Sequence, residues 1–313
     1  MATTGNRTKR WQQRVLSVPP HAYFVVGAIF HYLGPAFAVL LFTRVEPLGV
    51  AWLRITSAGI VFAAWRRPWR AWSSFSIRTK CAIVAWAAVL AAMNSCFYIA
   101  IDRLPLSTVA SVEFIGPVLL AVVGIRSRQN ALAIFLAAAG VYLLTGMRLE
   151  LELIGLLFAF ANAALFTLYI VLGHRVAQGG RTAGIDALGI AMLLAAGFAA
   201  PIGIADAGDA LLDPIALLAG VGVGITSSVI PYVFDQLALG RLTRATYSLF
   251  VSILPATATV IGIVVLAQIP ALRELFGVAL VISGVATHQS PGDKAPPAQP
   301  EVPGLQAPHQ TPT

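Results

Sequence analysis

Charge is scarce in this chain. Of 313 residues only 11% are Asp, Glu, Lys or Arg, against roughly 25% in a soluble domain. Outside a basic N-terminus and a Pro-rich tail there is no hydrophilic stretch long enough to build a water-soluble domain. Cysteine is nearly absent. Cys81 and Cys96 sit in one apolar stretch, about 22 Å apart along a helix at 1.5 Å per residue. That is too far for a disulfide with each other, and both read as small apolar packing residues. No Walker A sequence, no His-Glu-x-x-His and no Cys/His metal spacing occurs, and the five histidines are scattered at 21, 31, 174, 288 and 309. Nothing therefore points to an enzyme, a cofactor or a metal.

What the chain has instead is hydrocarbon: 58% of its residues are hydrophobic. Apolar runs long enough to cross a hydrocarbon core of ~30 Å recur at 22–42, 47–65, 80–100, 104–124, 130–146, 153–174, 184–204, 213–237, 242–267 and 271–287. The expected fold is all-α and integral to the membrane, with ten transmembrane helices and the lipid bilayer as their solvent. The first run is longer than a signal-peptide core and lacks a clear small-x-small cleavage site before the next. It reads as a permanent helix after a basic cytoplasmic segment, 1–21. Residues 288–313 carry Pro every few positions without apolar periodicity, the pattern of a disordered tail.

A net charge of +8 would suggest nucleic acid in a soluble protein, but here placement outweighs the sum and no nucleic-acid partner is expected. Assigning alternate loops to the two sides puts Arg7, Lys9, Arg10, Arg14, Arg66, Arg67, Arg70, Arg78, Lys80, Arg126, Arg128, Arg175, Arg181, Arg241, Arg244 and Lys294 on one side. Only Arg44, Arg103, Arg148 and Arg273 fall on the other. The positive-inside rule makes the crowded side cytoplasmic, giving a multi-pass plasma (inner) membrane protein with both termini inside. Trp65, Trp69 and Trp72 then mark the cytoplasmic interface of the second helix, and Glu46, Asp102, Glu150, Glu152, Asp206, Asp209 and Asp213 face outward.

Residues 100–125, "AIDRLPLSTVASVEFIGPVLLAVVGI", align with 238–263, "ALGRLTRATYSLFVSILPATATVIGI". The alignment matches Arg103 to Arg241, Leu104 to Leu242, Thr108 to Thr246, Pro117 to Pro255 and Gly124 to Gly262. With a longer loop allowed in the second half, "AIFLAAAGV" (133–141) falls on "GVALVISGV" (277–285). Arg103 belongs outside and Arg241 inside, so the repeat inverts, as an odd number of helices per unit requires. The reading is a five-plus-five inverted repeat, units 22–146 and 153–287, an arrangement that recurs in secondary transporters with a site between the halves near the midplane.

The stretches "LGPAFAVLLF" (33–42), "EPLGVAWLRI" (46–55), "FYIAIDRLPLSTVASVEFIGPV" (97–118) and "YIVLGHRVA" (169–177) resemble the EamA-type drug/metabolite transporters, nearest the threonine/homoserine exporter branch. The resemblance implies a ten-helix fold and export of amino acids or related small metabolites without ATP hydrolysis. Family members often carry a "GE" pair after the ninth helix where this chain has "AQ", with Gln268. At an aromatic position of the sixth helix, often Trp, it has Phe166.

Ionisable residues inside a membrane are pathway candidates by default. Glu113 lies about 13 Å into the fourth helix and Arg54 about 10 Å into the second, both counted from outside at 1.5 Å per residue. They either pair to clamp the two helices, or Glu113 faces a cavity and exchanges a proton or holds a substrate ammonium. His31, followed by the helix-weakening Gly34 and Pro35, could bond a ligand or a neighbouring helix. Asn94 and Tyr98 are one turn apart, and their repeat counterparts are Tyr232 and Gln236; cross-helix hydrogen bonding or a site are both open. Asp235, near Arg241 and Arg244, suits an interfacial salt bridge. Pro117 and Pro255 are equivalent kinks or hinges. Gly220, Gly222 and Gly224 suit close helix packing. These residues suggest a proton-coupled exporter of an amino acid or similar small molecule. Efflux of cationic drugs, or a non-transporting receptor or scaffold, are the alternatives.

Overall fold

A computed structural model describes residues 20–116, 127–145, 152–177, 181–231 and 253–287. The basic N-terminus up to residue 19, the tail from 288, and Pro117, Arg126, Arg148, Glu150, Tyr232, Asp235, Gln236, Arg241 and Arg244 lie outside the described residues.

Among the described residues every regular element is helical. In chain order they are α1 (Pro20–Leu41), α2 (Pro47–Arg66), α3 (Ile77–Arg103), α4 (Leu106–Glu113), α5 (Arg128–Thr145), α6 (Leu153–Ala177), α7 (Arg181–Ala207), α8 (Pro214–Gly224), α9 (Leu254–Leu266) and α10 (Leu272–Thr287). A π-helical turn, Ile225–Val229, continues α8, and a 3₁₀ segment, Pro68–Ser74, follows α2. Local chemistry sets the starts. Pro occupies the first turn of α2 and α8, where its missing N–H costs nothing and its fixed φ suits a helix. Ser76 accepts from the Thr79 N–H at 3.2 Å to open α3, and Asp213 accepts from Ile215 N–H at 2.9 Å to open α8, each satisfying an orphan donor. The first helix, α1, runs on through Gly34 and Pro35.

Among the described residues five helices, within 24–41, 47–66, 77–103, 153–176 and 184–211, are long and apolar enough to cross a membrane. The surface of the bundle fits lipid. Large apolar side chains point outward, such as Leu157, Ile202, Val264 and Phe276, whereas alanines including Ala36, Ala87, Ala133, Ala137 and Ala191 fill the interior. Small residues inside let backbones approach, which drives helix association where no water-exclusion force operates. This is a multi-pass membrane protein. Cys81 corrects its expectation: it is exposed at the start of α3, while Cys96 is half-buried.

Two apolar cores stabilise the bundle. One joins α1, α4, α5 and α10 through Tyr32, Leu106, Val109, Val141, Leu144 and Val281. The other joins α2, α3 and α7 through Phe62, Ile83, Trp86 and Leu188. α5 and α10 cross closely. A Cβ on Gly140 would lie 2.6 Å from the Gly277 carbonyl oxygen, and one on Gly284 would lie 2.7 Å from the Ala133 carbonyl oxygen.

The loops gather at two ends. Arg44 pairs with Asp213 at 3.4 Å, linking the α1–α2 and α7–α8 connections. At the same end the Gln268 side chain, between α9 and α10, accepts from the Leu106 N–H at 3.1 Å. At the other end Arg66 pairs with Asp186 at 3.0 Å, and Lys80 sits 5.4 Å over the Trp72 ring. Trp65 and Trp69 are exposed there.

Candidate functional site

All eight residues of α4 are buried, so its polar side chains need protein partners or cargo. Glu113 is the last residue of α4, and Phe114 behind it forms a turn. The residue is 7% exposed, and its carboxylate accepts from Nδ2 of Asn162 on α6 at 3.3 Å. Gly116 brings the two helices together: a Cβ there would meet Thr167 Oγ1 and lie 2.7 Å from the Ala163 carbonyl oxygen. Asn162 is fully buried and its Oδ1 has no hydrogen-bond partner among the described residues.

Arg54 does not pair with Glu113: among the described residues the ion pairs within 4.0 Å are the two at the bundle ends. Its Nε donates to Ser228 Oγ at 3.0 Å and its Nη2 to the Ser227 carbonyl at 3.3 Å. The guanidinium carbon lies 5.6 Å from the centre of the Tyr98 ring, a cation–π distance. The hydroxyls of Thr226 and Ser227 bond back to Gly222 and Val223 carbonyls, the local competition that Ser and Thr bring to a helix. This is where α8 widens into its π turn, a distortion common at functional sites. Close packing holds it: a Cβ on Gly34 would lie 2.7 Å from Ser227 N, and one on Gly224 would lie 2.8 Å from the Arg54 carbonyl. Gly34 thus serves the α1–α8 contact. Gly220 packs on Leu53, but a Cβ on Gly222 would meet nothing within 4 Å, so the glycine series is only partly a packing device.

His31 stands edge-on to Tyr32, ring centres 5.0 Å apart. Asn94 donates to its own helix, at Leu90 O, 2.8 Å away, rather than across helices. The Tyr98 hydroxyl lies beside Arg54 and Ser227 without meeting hydrogen-bond geometry. The hydroxyls of Tyr32, Thr108 and Ser111 are also buried without partners. Arg54 is within electrostatic reach of Glu113 and His31, and Glu113 of Tyr32. The structure therefore gathers Arg54, Glu113, His31 and Tyr98 in one region, with Asn94 turned to its own backbone. Pro255 is buried in the first turn of α9, a position that tolerates the missing N–H of proline. Phe166 stacks on Tyr169 at 6.4 Å, one turn from Asn162.

Sequence reasoning missed Asn162, Ser227, Ser228 and Tyr32. Asn162 is the lone amide of "LFAFANAALF", a signal comparable to Glu113's own. The serine pair lies in "VGVGITSSVIP", where the glycines drew the attention.

The EamA-like transporter family profile matches residues 153–287. The threonine/homoserine exporter RhtA of Salmonella typhimurium (strain LT2) is 30% identical over 238 residues, spanning 75% of this chain and 79% of the relative. This chain belongs to the EamA-like transporter family. RhtA of Escherichia coli (strain K12) is 29% identical over 253 residues, 80% of this chain and 84% of that one. A crystal structure 20% identical in sequence superposes with a TM-score of 0.55 over 85% of this chain and 96% of its own, a likeness of fold. As an EamA-family member the chain is a transporter and not an enzyme, and its substrate is a small molecule.

Proposed function

We propose that this chain is a secondary-active exporter of small amino acids of the threonine/homoserine type, driven by inward protons. The observation that carries the reading is Glu113: a carboxylate buried among apolar helices, held by one neutral amide and, among the described residues, by no cation. An ionised carboxylate inside a membrane costs on the order of 3 kcal/mol by insertion scales, so Glu113 is poised to take a proton or an ammonium. Arg54 remains close enough to receive it in another state of the cycle. The RhtA relatives support the substrate class.

The architecture in this reading is ten spans in two inverted five-helix units, with both termini and the loops after α2, α4, α6 and α8 cytoplasmic. Support comes from reciprocal contacts. Under the alignment of 133–141 with 277–285, the Gly140–Gly277 approach is the image of the Ala133–Gly284 approach, and Gly140 on Val281 is the image of Ala137 on Gly284. The helix pairs agree: α3 on α6 mirrors α8 on α1, α4 on α6 mirrors α9 on α1, and α2–α7 and α4–α9 are their own images. A pseudo-two-fold axis makes that pattern. Labelling of Glu150→Cys but not Arg128→Cys by an impermeant reagent in intact cells checks the sidedness.

Cells loaded with threonine- or homoserine-containing dipeptides and expressing the chain should release the free amino acid faster than cells without it, and collapse of the proton gradient should slow concentrative release. Equal release with and without expression rejects the amino-acid reading. Accelerated release that ignores the gradient rejects proton coupling.

A further inference from the structure

We propose that Arg54 and the π turn of α8 form the seat for the carboxylate of a zwitterionic α-amino acid, whose ammonium lies toward Glu113 and Asn162. The proposal rests on the amino-acid reading above and gives each charge of the cargo its own residues.

A guanidinium offers five N–H donors in a planar fork suited to a carboxylate. Arg54 spends two of them, one on Ser228 Oγ and one on the Ser227 carbonyl. Both acceptors are neutral, so they fix the fork without cancelling its charge. The Tyr98 ring covers the guanidinium at 5.6 Å, and the Nη1 donors have no acceptor among the described residues. A charge held in place by neutral groups and left with spare donors is arranged for an anion that comes and goes, because a bidentate carboxylate supplies both charge and acceptors. The backbone is shaped to the same end. The π turn presents the Ser227 carbonyl to Arg54, and the bare backbones of Gly34 and Gly224 press against Ser227 and the Arg54 carbonyl. The buried Tyr98 hydroxyl, unpartnered beside the guanidinium, can donate to the same anion.

The opposite end is made of acceptors. The Glu113 carboxylate is beside Asn162, whose fully buried Oδ1 has no donor. An ammonium has three donors and no acceptor, which suits a carboxylate and an amide oxygen together, and the unpartnered Tyr32 hydroxyl supplies a further oxygen within Glu113's field. Arg54 and Glu113 stand near each other yet each takes neutral partners. A permanent ion pair would leave neither available. A simple cation or a simple anion would satisfy one half and leave the other.

The test uses the full chain, purified and reconstituted in proteoliposomes, with counterflow of labelled L-threonine competed by L-threonine, L-threoninamide and N-acetyl-L-threonine. Threoninamide keeps the ammonium without the carboxylate, and the acetylated compound the reverse. On the wild type each half-molecule should compete at least about tenfold more weakly than threonine, the loss expected for one charge-assisted contact. Arg54→Gln should weaken threonine by about tenfold to a hundredfold on the same grounds, while threoninamide shifts by less than about threefold. Glu113→Gln should do the reverse, sparing N-acetyl-threonine. Threoninamide competing as well as threonine on the wild type overturns the carboxylate seat, a result that needs no variant to fold. Equal weakening of both compounds by Arg54→Gln overturns it as well. If wild-type vesicles move no amino acid, the export reading fails and takes this proposal with it; if they move threonine and threoninamide alike, export stands and only the seat fails.

Discussion

Replacing Asn162 isolates the contact on which the Glu113 argument turns. Asn162→Leu removes the hydrogen bond at 3.3 Å and fills a fully buried site with a side chain of the same number of heavy atoms, so it leaves no cavity and lost bonding dominates. Polar contacts between membrane helices average about 0.6 kcal/mol and reach about 1.7, and a bond to a charged acceptor falls in the upper part of that range. The single change should therefore destabilise the protein by about 1 to 2 kcal/mol. Glu113→Leu should cost less, because it also removes a carboxylate from hydrocarbon. With both residues replaced no buried polar group is stranded, and the double variant should be more stable than the sum of the single losses implies. Denaturation of the purified protein in mixed micelles, read as a double-mutant cycle, should return an interaction free energy of about 1 to 2 kcal/mol. Strict additivity would mean that Asn162 does not hold Glu113, and the reasoning from a neutral partner would fall.

Two further outcomes follow from the packing. Ala267 ends α9 in the left-handed region, at φ 53°, a conformation costing roughly 1 to 2 kcal/mol for a residue with a Cβ, so Ala267→Gly should raise stability by about 1 kcal/mol in thermal unfolding. Gly140→Leu must push α5 from α10 against a backbone oxygen 2.6 Å from the new Cβ. It should cost about 1 to 3 kcal/mol, and an unchanged melting temperature would show that the crossing yields freely.

The apolar helices were legible because hydrocarbon imposes runs of apolar residues that composition alone reveals. The reciprocal contacts of Gly140, Gly277, Gly284 and Ala133 fall on the stretch whose repeat the sequence displayed. The site was half legible. Glu113 and Arg54 stood out because a charge in hydrocarbon is conspicuous, but their partners did not, since matching depths suggested a pair that α6 and α8 prevent by supplying Asn162, Ser227 and Ser228. Such partners come from helices remote in sequence, and a single Asn or Ser in an apolar run carries little signal of what it will face. The π turn was hidden for a related reason: it arises from close approach of Gly34 and Gly224 to neighbouring backbones, a tertiary fact. The "AQ" pair became intelligible only with its geometry. Ala267 occupies the left-handed position that favours the Gly common in relatives, and Gln268 caps the helix that carries Glu113.

The most direct test of the central claim, that Glu113 couples cargo to protons, is uptake of labelled L-threonine into inside-out vesicles under an imposed proton gradient, wild type against Glu113→Gln, at matched protein abundance. Wild-type vesicles should accumulate threonine above the external concentration and lose that accumulation when the gradient is collapsed. Glu113→Gln keeps the shape and a hydrogen bond to Asn162 but cannot carry the charge, so it should show no gradient-driven accumulation. Accumulation by Glu113→Gln equal to the wild type, and equally sensitive to the gradient, would contradict the account and move the coupling step to another residue.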